Sequence, residues 1–349
     1  MKNKVMKFLE KEIELEHIPG AVIYVSHEGK EILKESIGFS NEIKGKKIDM
    51  SNDTLFDLAS LTKVIATLPL IMNLIDEGVI SLNDKVADFI PEFAESNKKA
   101  LSIFNLLTHT SGLISHRSYF ETMKNRKEIL ASIYKEKLHY TPGEKVIYSD
   151  LGFILLQEII ESVTKKPIEV LLKEKILNPL SMKNTSFNPT AEFSRYAATE
   201  YSPSISTRKV GSVHDDNTEI MGGISGHAGL FSTIDDVVKF SKMVENNGIF
   251  NNKRIISDVA MDLTKKNHTS LLNLNRGLGW SIKGEGFDSC GDYFSRDSYG
   301  HTGFTGTSIW FDPEINLKVI LLTNRVYYGR NLDFIKSRPK LHNIIRSHY

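Results

Sequence analysis

Strand-like apolar segments stand at both ends of the chain, and the long stretch between them is patterned for helices. Near the N-terminus, AVIYVSH (21–27) and KEILKESIGF (30–39) flank the turn pair Glu28–Gly29 and read as a hairpin. Near the C-terminus, GLGWSIK (277–283), TSIWFD (307–312) and LKVILLTN (317–324) read as further strands. Residues 2–17 read as an amphipathic helix and residues 331–347 as a closing one. The simplest solution joins the terminal strands into one antiparallel sheet covered by the first and last helices. The middle then forms an inserted all-helical lobe, giving an α+β fold. The expected division is a sheet domain from 1–59 and 196–349 and a helical lobe from 60–195, with a ligand cleft between them.

Within the lobe, residues 60–78 carry one broad apolar face and end at Gly78. The helical pattern continues to about residue 180, broken by loops at LLTHTSGL (106–113) and TPGEKVIYSD (141–150). GFILLQEIIESVTK (152–165) and IEVLLKEKIL (168–177) are its most apolar helices. Residues 190–229 are loop-rich and hold Gly222, Gly223, Gly226 and Gly229. A helix over 233–248 follows, with Thr233 predicted as its N-cap.

The chain has 349 residues and a formal net charge of +1, without a basic stripe, which argues against a nucleic-acid or anionic-membrane binder. No stretch reaches the roughly 18 uncharged apolar residues of a membrane span. The start, MKNKVMKFLEKEIELEHIPG, lacks the apolar core of a secretion signal. With Met1 as the native start the expected compartment is cytoplasmic; a trimmed start would leave an extracytoplasmic location open. The single cysteine, Cys290, excludes an intrachain disulfide and reads as a small, partly buried thiol.

Ser60 and Lys63 stand at i and i+3 at the start of a helix, so their side chains share one face. A serine hydroxyl needs an adjacent base, and a lysine whose pKa is lowered can serve. The N–H groups at a helix start also point toward developing negative charge. The spacing alone says little, because it recurs at Ser96/Lys99, Ser132/Lys135, Ser162/Lys165, Ser206/Lys209 and Ser337/Lys340. Context selects the first copy. Ser60 lies at an element junction between TLFDLA and a long apolar helix, Tyr148-Ser149-Asp150 opens another apolar helix, and His301-Thr302-Gly303 precedes a strand.

LASLTK, LLTHTSGL, TPGEKVIYSDLGFILL and HTGFTG together resemble the serine β-lactamase and penicillin-binding-protein superfamily, in its class C-like, D,D-peptidase-like and esterase-like branch. The resemblance implies a two-lobed fold and acyl transfer to Ser60, then to water, with no metal and no organic cofactor. It implies that Lys63 and Tyr148 share the general-base work and that the N–H groups of Ser60 and Phe304 form the oxyanion hole. It places Asp150, His301, Thr302 and Gly303 on the substrate side. Two positions depart from the common pattern. Asp150 stands where many members have asparagine and is a candidate to stabilise the Lys63 ammonium instead. His301 stands where most β-lactamases have lysine. With a reference pKa of about 6.5 it should be neutral at pH 8 and favour a substrate carboxylate more at acid pH.

The resemblance implies a small-molecule or short-peptide substrate, with β-lactams as covalent ligands. GGISGHAGLFST (222–233) and RPKLHNII (338–345) are similar to a sub-branch that includes muropeptide-recycling muramoyl-alanine amidases of bacilli. That makes a peptidoglycan-fragment amide the first choice, a small ester the second and a non-catalytic ligand-binding member the third. His214-Asp215-Asp216 lacks metal-ligand spacing, so the glycine cluster after it reads as a loop beside the cleft. His109 reads as a packed, hydrogen-bonded histidine. Ser225 is not in a Gly-x-Ser-x-Gly elbow, which excludes an α/β-hydrolase.

Overall fold

The computed structural model describes residues 1–94, 97–285 and 288–349. The two ends of the chain meet in the middle of a seven-stranded antiparallel sheet. Gly20–His27 pairs with Leu317–Thr323, in the register Val22↔Leu322 and Tyr24↔Ile320. Outward from the first lie Lys30–Ile43 and Lys46–Asp49; outward from the second lie Ser308–Asp312, Tyr299–Thr302 and Ser281–Ile282. The central strands are apolar almost throughout because both faces are covered. Ala21, Ile23, Val25, Val319 and Leu321 pack under the N-terminal helix Lys2–Glu14 and the C-terminal helix Asp333–Arg346. Val22, Tyr24, Ile320 and Leu322 face the larger core, which runs on into the helical middle of the chain. Each fully buried aliphatic side chain there contributes about 1.5–3 kcal/mol.

The middle is less helical than its pattern suggests. Among the described residues between Gly78 and Asn125, Val86–Asp88, Pro91–Phe93, Ile103–Leu107 and Tyr119–Glu121 are single turns. Short polar side chains claim the backbone there: Ser102 and Asn105 cap each other's turn, and Asp84 and Asp88 accept nearby N–H groups. Long helices return at Arg126–Lys135 and Asp150–Thr164.

The helix after Ser60 opens with a wide turn over Lys63–Thr67 before the regular Leu68–Asp76. Pro69 has no N–H for the carbonyl four residues back, and Leu68 N–H bonds back to Lys63 O instead. A small sheet joins Phe56–Asp57, Leu230–Ser232 and Ser186–Phe187, tying the segment before Ser60 to the glycine-rich loop.

Other differences from expectation are local. Of residues 277–283 only Ser281–Ile282 pairs in the sheet, because Gly277 N–H turns back to Trp280 O and Gly279 N–H bonds Leu107 O. His301-Thr302 belongs to a strand of its own, Tyr299–Thr302. Thr233 precedes the helix Ile234–Glu245 but makes no side-chain cap bond. Cys290 is fully buried. Ser96 lies outside the described residues. Among the described residues, no helix is long and apolar enough to cross a membrane.

Candidate active site

Ser60 stands at a strained junction. Ala59, just before it, has φ +46°, a left-handed conformation costing a side-chain-bearing residue on the order of 1 kcal/mol. The buried Asp57 carboxylate holds that conformation by accepting Ala59 N–H at 2.8 Å and His214 N–H at 2.6 Å. One turn on, the fully buried Lys63 donates to Ser60 Oγ at 3.1 Å, Asp150 Oδ1 at 2.7 Å and His227 O at 3.1 Å.

Burial works against the Lys63 ammonium, but Asp150 and Tyr148 more than offset it, and the lysine pKa is raised. Burial likewise pushes against the Asp150 carboxylate, yet Lys63 and then His116 hold it far below the usual carboxylate range. His116 Nδ1 lies 3.5 Å from Asp150 Oδ2. The Tyr148 hydroxyl is buried between Lys63 and Ser60 without a hydrogen bond of full geometry to either. Its ring is 4.9 Å from Lys63 Nζ. Burial raises the phenol pKa, against the pull of Lys63.

His109 orients that phenol. It is buried, accepts Ser149 N–H at 3.1 Å on Nδ1, and lies 4.5 Å from the Tyr148 ring. The glycine-rich loop closes the site from below, with Thr67 Oγ1 donating to Gly226 O at 2.6 Å. A side chain at Gly226 would meet Phe153 O at 2.3 Å.

The hairpin after Thr302 covers the other side. Thr305 Oγ1 donates to Asp57 O at 2.7 Å and Thr307 Oγ1 to Leu58 O at 3.0 Å. This close approach requires Gly303, where a Cβ would meet Thr307 Oγ1 at 2.1 Å and Leu58 O at 2.4 Å. Among the described residues neither Ser60 N–H nor Phe304 N–H has a protein acceptor. Two free N–H groups beside a serine hydroxyl suit an oxyanion.

A family profile described as Beta-lactamase matches residues 7–337. The chain belongs to the beta-lactamase family. It is a serine hydrolase of the acyl-enzyme type. This family member is similar to the N-acetylmuramyl-L-alanine amidase of Bacillus subtilis (strain 168), at 32% identity over 92% of this chain and 80% of that protein. It is equally similar, at 32% identity over 88% of this chain and 79% of the other, to a putative D-alanyl-D-alanine carboxypeptidase of Salmonella agona. Its fold matches two solved structures at 20% identity. One is EstCE1, described as a hydrolase with promiscuous acyltransferase activity (TM-score 0.78, 97% of this chain and 98% of that one). The other is a class C beta lactamase from Rhodobacter sphaeroides (TM-score 0.77, 98% and 99%).

In this beta-lactamase family member, Lys63, Tyr148, Asp150, His301, Thr302, Gly303 and Phe304 gather around Ser60. Two cavities flank it. One, of about 430 Å³, is lined by His116, Tyr148, Asp150, Asp215, Asp216 and His227 among others. The second, of about 290 Å³, lies on the His301-Thr302-Gly303 side and is lined by Arg276, Arg325 and Arg338. His214-Asp215-Asp216, read from the sequence with a loop beside the cleft, does line the first cavity, whereas His116 and the three arginines did not stand out, because they come from segments far apart along the chain. Asp150 turns toward Lys63, as its replacement of asparagine suggested.

The expected titration of His301 does not hold. Burial first, then Lys63 and Arg276, push its pKa down to about 3. It stays neutral across the working range, with Nδ1 3.0 Å from Thr302 O.

Proposed function

We propose that the chain hydrolyses an amide bond of a peptidoglycan-derived muramyl peptide through an acyl-enzyme on Ser60. The observation that carries this reading is Lys63 Nζ, 3.1 Å from Ser60 Oγ and paired with Asp150. The similarity to an N-acetylmuramyl-L-alanine amidase supports the substrate class. In this reading the cleft lies between the sheet unit, 1–59 and 196–349, and the inserted lobe, 60–195.

Ser60 Oγ attacks the amide carbon, and its proton passes to the Lys63–Tyr148 pair. The N–H groups of Ser60 and Phe304 hold the oxyanion. The C–N bond then breaks, and the pair returns the proton to the leaving nitrogen. Water attacks the resulting ester by the same route and releases the acid. With Lys63 and Tyr148 both raised in pKa, the pair carries one proton too many at rest. It has to lose that proton before it can accept one from Ser60.

The test is hydrolysis of N-acetylmuramoyl-L-alanyl-D-isoglutamine beside a short-chain nitrophenyl ester, followed by mass spectrometry. Release of the dipeptide by wild type, and its absence in a folded Ser60→Ala protein, are expected. Turnover of the ester alone would overturn the substrate class. Undiminished amide turnover by Ser60→Ala would overturn the nucleophile.

A further inference from the structure

We propose that Asp57 is a positioning residue for the oxyanion hole, its carboxylate fixing the Ser60 N–H and the Phe304 N–H relative to each other. That role rests on the reading of Ser60 as the acylated residue and of these two N–H groups as its oxyanion donors. On the Ser60 side, Asp57 Oδ1 accepts the N–H of Ala59, two residues on, at 2.8 Å. This is a local aspartate turn, and it holds Ala59 at φ +46°. The next peptide unit carries Ser60 N–H, so its direction follows from that turn. On the Phe304 side, Asp57 Oδ2 accepts His214 N–H at 2.6 Å. His214 Nε2 lies 2.9 Å from Glu200 Oε2, so the ring is held at its tip as well as through its backbone. That ring stacks on Phe304, with centroids 5.5 Å apart and planes at 27°. Phe304 is 46% exposed, so burial does not hold it; the His214 stack and the Arg325 guanidinium at 4.8 Å do. Thr305 Oγ1, donating to Asp57 O at 2.7 Å, ties the hairpin to the same residue.

Asp57 is 2% exposed and, among the described residues, forms no ion pair. A buried carboxylate without a cation is costly, and burial pushes its pKa up against the pull of the two N–H donors. An apolar side chain would fill the same space at lower cost. What the carboxylate adds is two acceptors on one rigid plane, each facing a backbone N–H from a different wall of the site. An asparagine has one acceptor only. Its NH2 would face the N–H of either Ala59 or His214 and push that segment away, and one of the two oxyanion donors would move with it.

The competing account is that Asp57 only stabilises the fold, so the readout must be the hole itself. Phenylboronic acid provides it: Ser60 Oγ adds to boron, its proton passes to the base, and the tetrahedral boronate places an oxygen where the oxyanion forms. Full-length wild type should bind it and Ser60→Ala should not. In Asp57→Asn its dissociation constant should rise about a hundredfold, the scale of one lost oxyanion donor, and kcat for N-acetylmuramoyl-L-alanyl-D-isoglutamine should fall about as much, with KM within about threefold. Asp312→Asn alters another fully buried carboxylate, at the end of the strand Ser308–Asp312 away from the site. It should lower Tm and leave both readouts at their wild-type values. His214→Ala keeps the backbone bond to Asp57 but removes the stack on Phe304, and should weaken the boronate about tenfold, the scale of one aromatic pair; His214→Phe should return it to within about threefold of wild type. Near-UV circular dichroism checks folding; if Asp57→Asn does not fold, the two His214 variants carry the test. Wild-type boronate affinity in folded Asp57→Asn, a loss confined to KM, or equal binding by His214→Ala and wild type overturns the proposal. Boronate binding that follows these variants, without amide turnover by wild type, would keep the positioning role and remove the amidase reading. Amide turnover with boronate binding indifferent to the variants would do the reverse.

Discussion

Lys63 Nζ lies 2.7 Å from Asp150 Oδ1 and 3.1 Å from Ser60 Oγ, so the carboxylate holds the lysine more closely than the hydroxyl does. Asp150 is the first residue of the helix Asp150–Thr164, where the free N–H groups of the first turn favour a carboxylate. The pairing keeps Lys63 protonated inside the protein, with its pKa raised. A base that is protonated at rest gains activity as pH rises.

Asp150→Asn should therefore move the rising limb of the kcat/KM profile to lower pH. Removing the carboxylate takes away the main force opposing burial, so the Lys63 pKa falls. A shift of at least about one pH unit is expected, equivalent to about 1.4 kcal/mol of lost differential interaction. Amide hydrolysis between pH 5 and 10 measures it. An unmoved midpoint would show that Asp150 does not govern the base.

Lys63→Ala and Tyr148→Phe should each lower acylation by at least about a hundredfold, the scale of lost general-base help. The double variant should lose little more, because the two groups act as one proton-transfer unit. Single-turnover acylation rates of the three proteins decide this, and losses that multiply fully would count against a shared base.

Much of this site was legible in the sequence because three short motifs each sat beside the right kind of element. The spacing alone misleads. In the Ser206/Lys209 copy, Ser206 lies in a turn with φ +52° and Lys209 pairs with Asp216 and Glu219. Ser60 differs in its setting, a strained turn held by Asp57 ahead of a buried helix. The sheet was legible too, since apolar runs at the two ends had no other way to bury both faces. The arginine wall was not, because Arg276, Arg325 and Arg338 converge only after the last strand and the C-terminal helix pack together. The loops among the described residues of 79–105 and 114–125 were misread as helix, while 106–113 was read as a loop; side chains such as Ser102, Asn105 and Asp88 bond the backbone locally, which periodicity does not register.

Gly303→Ala should cost activity out of proportion to stability. Its Cβ would stand 2.1 Å from Thr307 Oγ1 and 2.4 Å from Leu58 O, so the hairpin must move away from the Ser60 turn. Phe304 N–H moves with it. Displacement by about an ångström at a reacting centre costs on the order of a hundredfold in rate. Overpacking costs about 1–3 kcal/mol of stability. A folded variant with a modest drop in Tm and a hundredfold lower kcat is expected. Activity within about threefold of wild type would mean that the hairpin does not position a transition-state donor.

The last prediction concerns His301 and reverses the sign that its residue type alone suggested. An unperturbed imidazole would gain charge as pH falls through about 6.5 and would then favour a substrate carboxylate. Here burial pushes its pKa down to about 3, with Lys63 and Arg276 adding to the effect. A histidine with so low a pKa carries no charge at any pH from 5.5 to 7.5. The arginines beside it keep their charge over that range. The preference for a free carboxylate over its amide should therefore stay flat with pH. Ionisation of the Lys63–Tyr148 pair affects both substrates alike and cancels in the ratio. The measurement is kcat/KM for a matched acid and amide at half-unit steps of pH. A ratio that climbs several-fold toward pH 5.5 in wild type, and loses that climb in His301→Gln, would show that His301 titrates after all.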